Sequence, residues 1–300
     1  MVIPSHIQIE IVKGICTANC IMCPVPSWNL EPLVMSLESY SAVMDKIKIH
    51  KDSIKFLTLQ GRGEPLLDES LCEKIKIAWQ NLRPSTSIGF ASNCTELTPD
   101  LSRNLLESGL DLIICSIDGI KKGTHENIRI GTNYDEVVEN VKNFIKLRND
   151  LNKTTRVMIR FIRQESNYDE WDDYRKYWSE FIDIDKNDSV VKFDVHNWGG
   201  VNINKENIEL INDELNMPFI CEELYNRFVI QCDGSIGLCC VSDDVNDLNL
   251  GNIFNGSLVE IYNGDMFKHY RQEMEAGNIF KLELCKNCSV PLSRYKRQIS

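Results

Sequence analysis

Short apolar or alternating runs recur through the first two thirds of the chain, each followed by a longer stretch whose apolar residues repeat every three or four positions. IQIEIV (7–12), IKFLTL (54–59), SIGFAS (87–92), DLIICSI (111–117), RVMIRFI (156–162) and VVKFDV (190–195) read as six strands, since strand side chains alternate faces and buried strands are short. Between the fourth and fifth, Val137, Val138, Val141, Phe144 and Ile145 fall on one helix face. Thr98 and Pro99 supply an N-cap and first-turn residue for a helix over 100–107, and Gly109 ends it. Strand–helix alternation builds a parallel sheet with helical crossovers. Six units predict an α/β fold, an open partial (β/α)6 TIM-like barrel, with its chemistry in the loops after the strands. From about Trp198 the pattern gives way to an Asn-rich connection, NWGGVNINKENIELINDELN, and beyond Met217 the chain is organised around cysteines. A barrel over 1–200 and a second domain over 201–300 are expected.

Composition narrows the chemistry. The net charge of −11 over 300 residues repels polyanions, because nonspecific nucleic-acid binding exchanges phosphate counterions for Lys and Arg. No nucleic-acid partner is expected. The start, MVIPSHIQIEIV, lacks a basic n-region and sets His6, Gln8 and Glu10 where a signal peptide needs an unbroken apolar run. The longest apolar stretch, 110–117, is interrupted by Asp111 and falls far short of the ~20 residues that cross a bilayer. A cytoplasmic protein with no membrane partner is therefore expected. There, 12 cysteines point to metal or catalytic roles rather than disulfides.

The first cysteine group, CTANCIMC, follows strand one and spaces Cys16-x3-Cys20-x2-Cys23. Three thiolates in one loop can hold three irons of a 4Fe-4S cube and leave the fourth open, whereas structural zinc takes four ligands. This loop resembles that of the radical S-adenosylmethionine (SAM) superfamily. The resemblance implies that SAM chelates the fourth iron through its amino and carboxylate groups. It also implies cleavage of SAM to a 5'-deoxyadenosyl radical that abstracts a substrate hydrogen, and a reductant such as flavodoxin or ferredoxin. Met22 stands where the family often has an aromatic residue, and is expected near the adenine.

Further motifs follow later strands. Gln60-Gly61-Arg62-Gly63-Glu64-Pro65 is similar to the family's Gly-rich Glu-Pro segment, which implies that Glu64 meets the SAM amino group. Ser92-Asn93-Cys94 stands where the family has Thr-Asn-Gly; Asn93 is expected over the SAM site, and Cys94 departs from the pattern. Ser116-Ile117-Asp118-Gly119 is similar to Ser-x-Asp-Gly, implying that Ser116 and Asp118 reach the ribose or substrate, although Asp118 equally suits a turn cap. In the following Glu-x-x-Arg-x-Gly segment, Arg129 either contacts SAM or anchors the loop. Arg160 and Arg163 flank the end of strand five as candidate catalytic residues and, being an odd number apart, point oppositely.

The second cysteine group, Cys221, Cys239, Cys285 and Cys288 with Gly234 and Leu250-Gly251-Asn252 between them, resembles the start of the SPASM domain. The three further cysteines of a full SPASM domain do not follow, which implies one auxiliary 4Fe-4S cluster, as in the shortened twitch variant. A four-cysteine zinc ribbon competes with it. Cys240 is left as a packing residue or a substrate-facing thiol, Cys232 is left over, and Cys72 and Cys115 read as buried apolar cysteines.

The cysteine layout is similar to aminocyclitol dehydrogenases of the deoxy-scyllo-inosamine type and to aminoglycoside epimerases. It implies hydrogen abstraction from a hydroxyl-bearing carbon of a sugar-like or aminocyclitol substrate, followed by dehydrogenation or epimerisation. The alternative is a maturase of a ribosomally made peptide, disfavoured where the chain starts directly at strand one. A noncatalytic iron-sulfur electron carrier is the third reading, and it would need no SAM motifs.

Overall fold

The computed structural model describes residues 1–198, 221–240, 248–286 and 288–290. All six expected strands form: β1 (His6–Ile9), β2 (Phe56–Leu59), β3 (Ser87–Ser92), β4 (Leu112–Ser116), β5 (Arg156–Arg163) and β6 (Ser189–Asp194). They pair side by side, all parallel, in sequence order. The helices between them are α1 (Leu37–Ile47), α2 (Leu71–Leu82), α3 (Pro99–Glu107), α4 (Lys122–Ile128), α5 (Tyr134–Asp150) and α6 (Trp171–Ser179). As expected, Thr98 caps α3, its side chain accepting from Leu101 N, and all five apolar residues of the α5 stripe are buried.

The two faces of the sheet have different chemistry. Val157, Ile159 and Phe161 are fully buried on the helix side, where the Phe161 ring lies 4.7 Å from Tyr174 of α6. The alternate positions face inward. There Gln8 neighbours Thr58, and Ser116 neighbours Arg160, which neighbours Val191. Burial of the odd stripe supplies the hydrophobic stabilisation, leaving the inner face free to be polar. A fully buried ion pair on this side, Arg148–Asp188 at 2.6 Å, ties α5 to the start of β6.

Sequence periodicity places strand one at 7–12, yet β1 stops at Ile9. At the next position Glu10 N still donates to Ile230 O at 2.8 Å, while its carboxylate takes both Nε and Nη2 of Arg62 at 2.7 Å. Two more strands extend the sheet beyond β1: β7 (Arg227–Ile230), parallel to it, and β8 (Ile236–Gly237), antiparallel to β7. The cysteine-rich region is thus hydrogen-bonded into the barrel sheet. It adds α7 (Glu222–Asn226), α8 (Leu258–Tyr262) and α9 (Asp265–Glu275), gathered round Arg271, whose guanidinium lies 4.3 Å from the Tyr262 ring. The Asn-rich connection and the boundary near 200 fall outside the described residues, apart from Asn197 and Trp198. Among the described residues no helix is long and apolar enough to cross a membrane.

Candidate active site

The loop carrying Cys16, Cys20 and Cys23 is fastened at several points. Asn19–Cys20 pairs antiparallel with Arg129–Ile130, and Ile21 N donates to Ile128 O at 2.9 Å. On its other side Gly14 N donates to Arg62 O, and Glu64 N to Ile15 O, both at 2.8 Å. Gly63 is required by this approach: a Cβ there would lie 2.7 Å from Val12 O and 2.9 Å from Ile15 O.

Each of the three sulfurs meets an N–H donor. Cys16 Sγ accepts from Ala18 N at 3.4 Å and Asn93 Nδ2 at 3.6 Å. Cys20 Sγ accepts from Arg129 Nη1 at 3.5 Å, and Cys23 from the Val25 backbone. Such donors suit thiolates that ligate iron, whose charge they offset. Among the described residues none of these thiols is packed with two others as closely as a single metal ion demands.

The polar residues after strands two to four lock onto this loop. Glu64 is buried; its carboxylate accepts from Leu66 N at 3.1 Å and Asn93 N at 2.9 Å. Burial raises its pKa, with the Asn93, Ser92 and Leu66 hydrogen bonds and the Arg129 charge pulling the other way. Asn93 also donates to Thr17 Oγ1 at 2.9 Å, so its amide grips the cysteine loop. Cys94 keeps the backbone its glycine counterpart would have, with φ +62°. Asp118 accepts from Ile162 N at 2.7 Å and pairs with Arg129 Nη2 at 2.6 Å. Burial opposes the Arg129 charge, but Asp118 and Cys20 outweigh it and hold the guanidinium above its usual range. Arg129 therefore anchors the loop through sulfur and carboxylate together.

Of the two arginines on β5, Arg160 turns inward and donates to Ser116 Oγ at 2.6 Å. Burial, with Arg129 adding, lowers its pKa to about 10; no carboxylate among the described residues pairs with it. Arg163 takes the other side, 2.7 Å from Asp194 and 5.0 Å over the Tyr168 ring. Met22 is nearly buried, and its carbonyl accepts from Trp198 Nε1 at 2.8 Å. His196, which no sequence motif marks, is half-buried beside this face; burial and the Arg160 charge bring its pKa down to about 4. Its signal was position, a polar residue in the loop after strand six.

The second group lies at the N-terminus of α7, just after β8 and in the segment after α9. Cys221 precedes α7, and Cys285 and Cys288 share a turn, Cys288 N donating to Cys285 O at 3.0 Å. Burial raises the Cys285 thiol, and Cys288 and Cys221 are close enough to add to it; Cys239 and Cys285 both act on Tyr270. Cys240 Sγ lies 3.7 Å from Glu223 Oε2. Burial pushes its thiol up to about 12, with Arg227 opposing and Glu223 adding. Cys232 is structural: buried, its sulfur contacts Leu33 O at 3.4 Å and its amide donates to Glu10. Cys115 is fully buried as expected, whereas Cys72 is half-buried.

A family model described as the radical SAM superfamily matches residues 11–166, more than half of the chain. The chain belongs to this superfamily. A second model, SPASM, an iron-sulfur cluster-binding domain, matches residues 221–289. A radical SAM domain carries a 4Fe-4S cluster and SAM, and a SPASM domain carries an auxiliary iron-sulfur cluster. Among solved structures, BtrN in complex with AdoMet and 2-DOIA is 20% identical, with a TM-score of 0.64 over 95% of this chain and 93% of that one. SuiB of Streptococcus suis bound to precursor peptide SuiA is 14% identical, TM-score 0.67, over 95% and 72%. The enzyme anSMEcpe with bound AdoMet is 15% identical, TM-score 0.66, over 95% and 89%. At these identities the likeness is one of fold. No match is found among curated proteins. This radical SAM chain thus has the partial TIM barrel that its strand–helix alternation predicts and the SPASM extension that its second cysteine group implies.

Proposed function

We propose that this radical SAM enzyme abstracts hydrogen from a hydroxyl-bearing carbon of a sugar-like or aminocyclitol substrate, leading to dehydrogenation or epimerisation. The observation that carries the reading is the polar inner face, where Gln8, Thr58, Ser116 and Arg160 turn away from the helices and, among the described residues, Arg160 meets the Ser116 hydroxyl but no carboxylate. Donors so placed suit substrate hydroxyls, because a buried cation needs an acceptor. The fold match to BtrN, solved with AdoMet and 2-DOIA and covered almost end to end, supports it. A second reading, a peptide maturase, is favoured by the match to SuiB bound to its precursor peptide.

In this proposal Cys16, Cys20 and Cys23 hold the SAM-binding cluster, and Cys221, Cys239, Cys285 and Cys288 hold a single auxiliary one. When bound and reduced, the first cluster and SAM supply the 5'-deoxyadenosyl radical. Glu64 receives the SAM amino group, Met22 packs by the adenine, and Asn93, Ser116, Asp118 and Arg129 shape the surrounding wall. Arg160 orients substrate oxygens, and Arg163 stands at the rim. The barrel spans 1–200 and the auxiliary region 201–300, with flavodoxin or ferredoxin as electron donor.

Mass spectrometry of aminoglycosides, sugars and peptides incubated anaerobically with reduced enzyme and SAM tests the reading. The expected product is an oxidised or inverted sugar or cyclitol formed with 5'-deoxyadenosine; modification of peptides alone would overturn it. Glu64→Gln is expected to weaken SAM binding by about 1.5–3 kcal/mol through loss of a charge-assisted hydrogen bond, with iron content unchanged. Calorimetric titration of SAM reads this directly. Unaltered affinity would leave Glu64 only as the cap of the turn Pro65–Leu67.

A further inference from the structure

Just past β6, before the first described stretch ends at Trp198, three successive side chains are heavily engaged. Trp198 has φ +48°, a left-handed backbone that bulky residues avoid. Such a conformation persists only where its surroundings over-determine it. Here they do so from several sides. Trp198 N donates to His196 Nδ1 at 3.2 Å, and the two rings lie 4.7 Å apart. The indole meets Trp28 edge-on at 6.4 Å, and its N–H reaches Met22 O at 2.8 Å. Met22 lies between Cys20 and Cys23, so this bond fixes the main chain of the first cysteine loop.

The residue between them reaches the other cysteine group. Asn197 N donates to Ser289 Oγ at 3.0 Å, and Ser289 N donates to Asn197 Oδ1 at 2.9 Å. Both residues are buried, and Ser289 directly follows Cys288. A reciprocal, water-shielded pair of this kind fixes position and direction together. Adjacent residues of one short segment therefore hold backbone next to Cys20 and Cys23 on one side and next to Cys288 on the other. The partners are 176 and 92 residues away in sequence, so local folding brings about neither contact. His196, bonded through Nδ1, completes the turn that lets its two neighbours face different ways.

We propose that His196, Asn197 and Trp198 form a brace that sets the distance and mutual orientation of the two cysteine groups, and with it the gap in which substrate is held. The proposal rests on the assignment of both groups as cluster sites, but on no particular substrate.

Pulsed dipolar electron paramagnetic resonance between the two reduced, paramagnetic clusters tests it without substrate turnover. Trp198→Phe keeps an aromatic ring but loses the pyrrole half of the indole with its N–H donor to Met22; Asn197→Ala removes the side-chain acceptor for Ser289 N. The expected result is that each variant retains about eight irons while its inter-cluster distance distribution broadens, most in the double variant. An unchanged distribution in a fully loaded double variant would overturn the brace. So would loss of auxiliary iron alone in Asn197→Ala, because the residue would then be scaffold for one site rather than a link between two. Wild-type protein holding only about four irons would sink the brace together with the two-cluster assignment beneath it, and the iron count distinguishes that failure from the others.

Discussion

Replacing Cys16, Cys20 and Cys23 together by alanine is expected to abolish SAM cleavage completely while leaving about four of about eight irons in the reconstituted protein. The variant should fold. Its loop is held by main-chain bonds to Arg129–Ile130 and to the Gly63 segment, none of which needs a sulfur. Arg129 would lose Cys20 but keep Asp118 at 2.6 Å, so no buried cation is stranded, which is the circumstance that makes broken ion pairs costly. The remaining irons belong to cysteines on separate elements, attached to the barrel through the β1–β7 ladder. Iron and sulfide analysis with chromatography for 5'-deoxyadenosine measures both effects. Residual cleavage would dismiss the first group as the SAM site. Zinc in place of half the wild-type iron, persisting after careful anaerobic reconstitution, would revive the zinc ribbon for the second.

How far the sequence carried depends on how local each feature is. The six barrel strands and the stripe on α5 follow from periodicity within a few residues, so the local pattern displays them. The cysteine loop is legible for the same reason, its three thiols lying within eight positions. By contrast, β7 is four residues long and pairs with β1 more than 200 residues away, which no local pattern announces. The role of Asn93 was blurred differently: position after strand three marked it, but only the fold shows its amide reaching Thr17 and Cys16. For Arg129, too, the contact with the Cys20 sulfur comes from the short ladder between distant segments, which its motif does not show. The bond from Trp198 to Met22 was hidden because main-chain acceptors leave no mark in the identity of a residue.

Cys240→Ala is expected to eliminate an inverted product while leaving dehydrogenation intact. A substrate carbon radical bearing a hydroxyl has two fates: it would lose a proton and become a ketone, the auxiliary cluster proposed at Cys221, Cys239, Cys285 and Cys288 being the electron acceptor, or it would take a hydrogen atom from a thiol and close with the opposite configuration, leaving a thiyl radical for the external reductant to restore. Only the second needs a cysteine that binds no iron. Cys240 fits that part because its neighbour Cys239 is the proposed ligand, while its own sulfur turns 3.7 Å from the Glu223 carboxylate. Glu223 in turn pairs with Arg227 at 2.5 Å, and Arg227 donates to Gln8 on the inner face of β1 at 2.8 Å. The thiol is thereby connected to the polar wall of the barrel. Alanine removes one small sulfur from this chain of contacts and should cost little in packing. Both clusters and 5'-deoxyadenosine formation are therefore expected to survive. In deuterated water, wild-type inversion through a solvent-exchanged thiol would place deuterium on the product carbon, and dehydrogenation would not. A product without carbon-bound deuterium, together with full turnover in Cys240→Ala, would exclude Cys240 as hydrogen donor and leave oxidation of the hydroxyl-bearing carbon as the reaction.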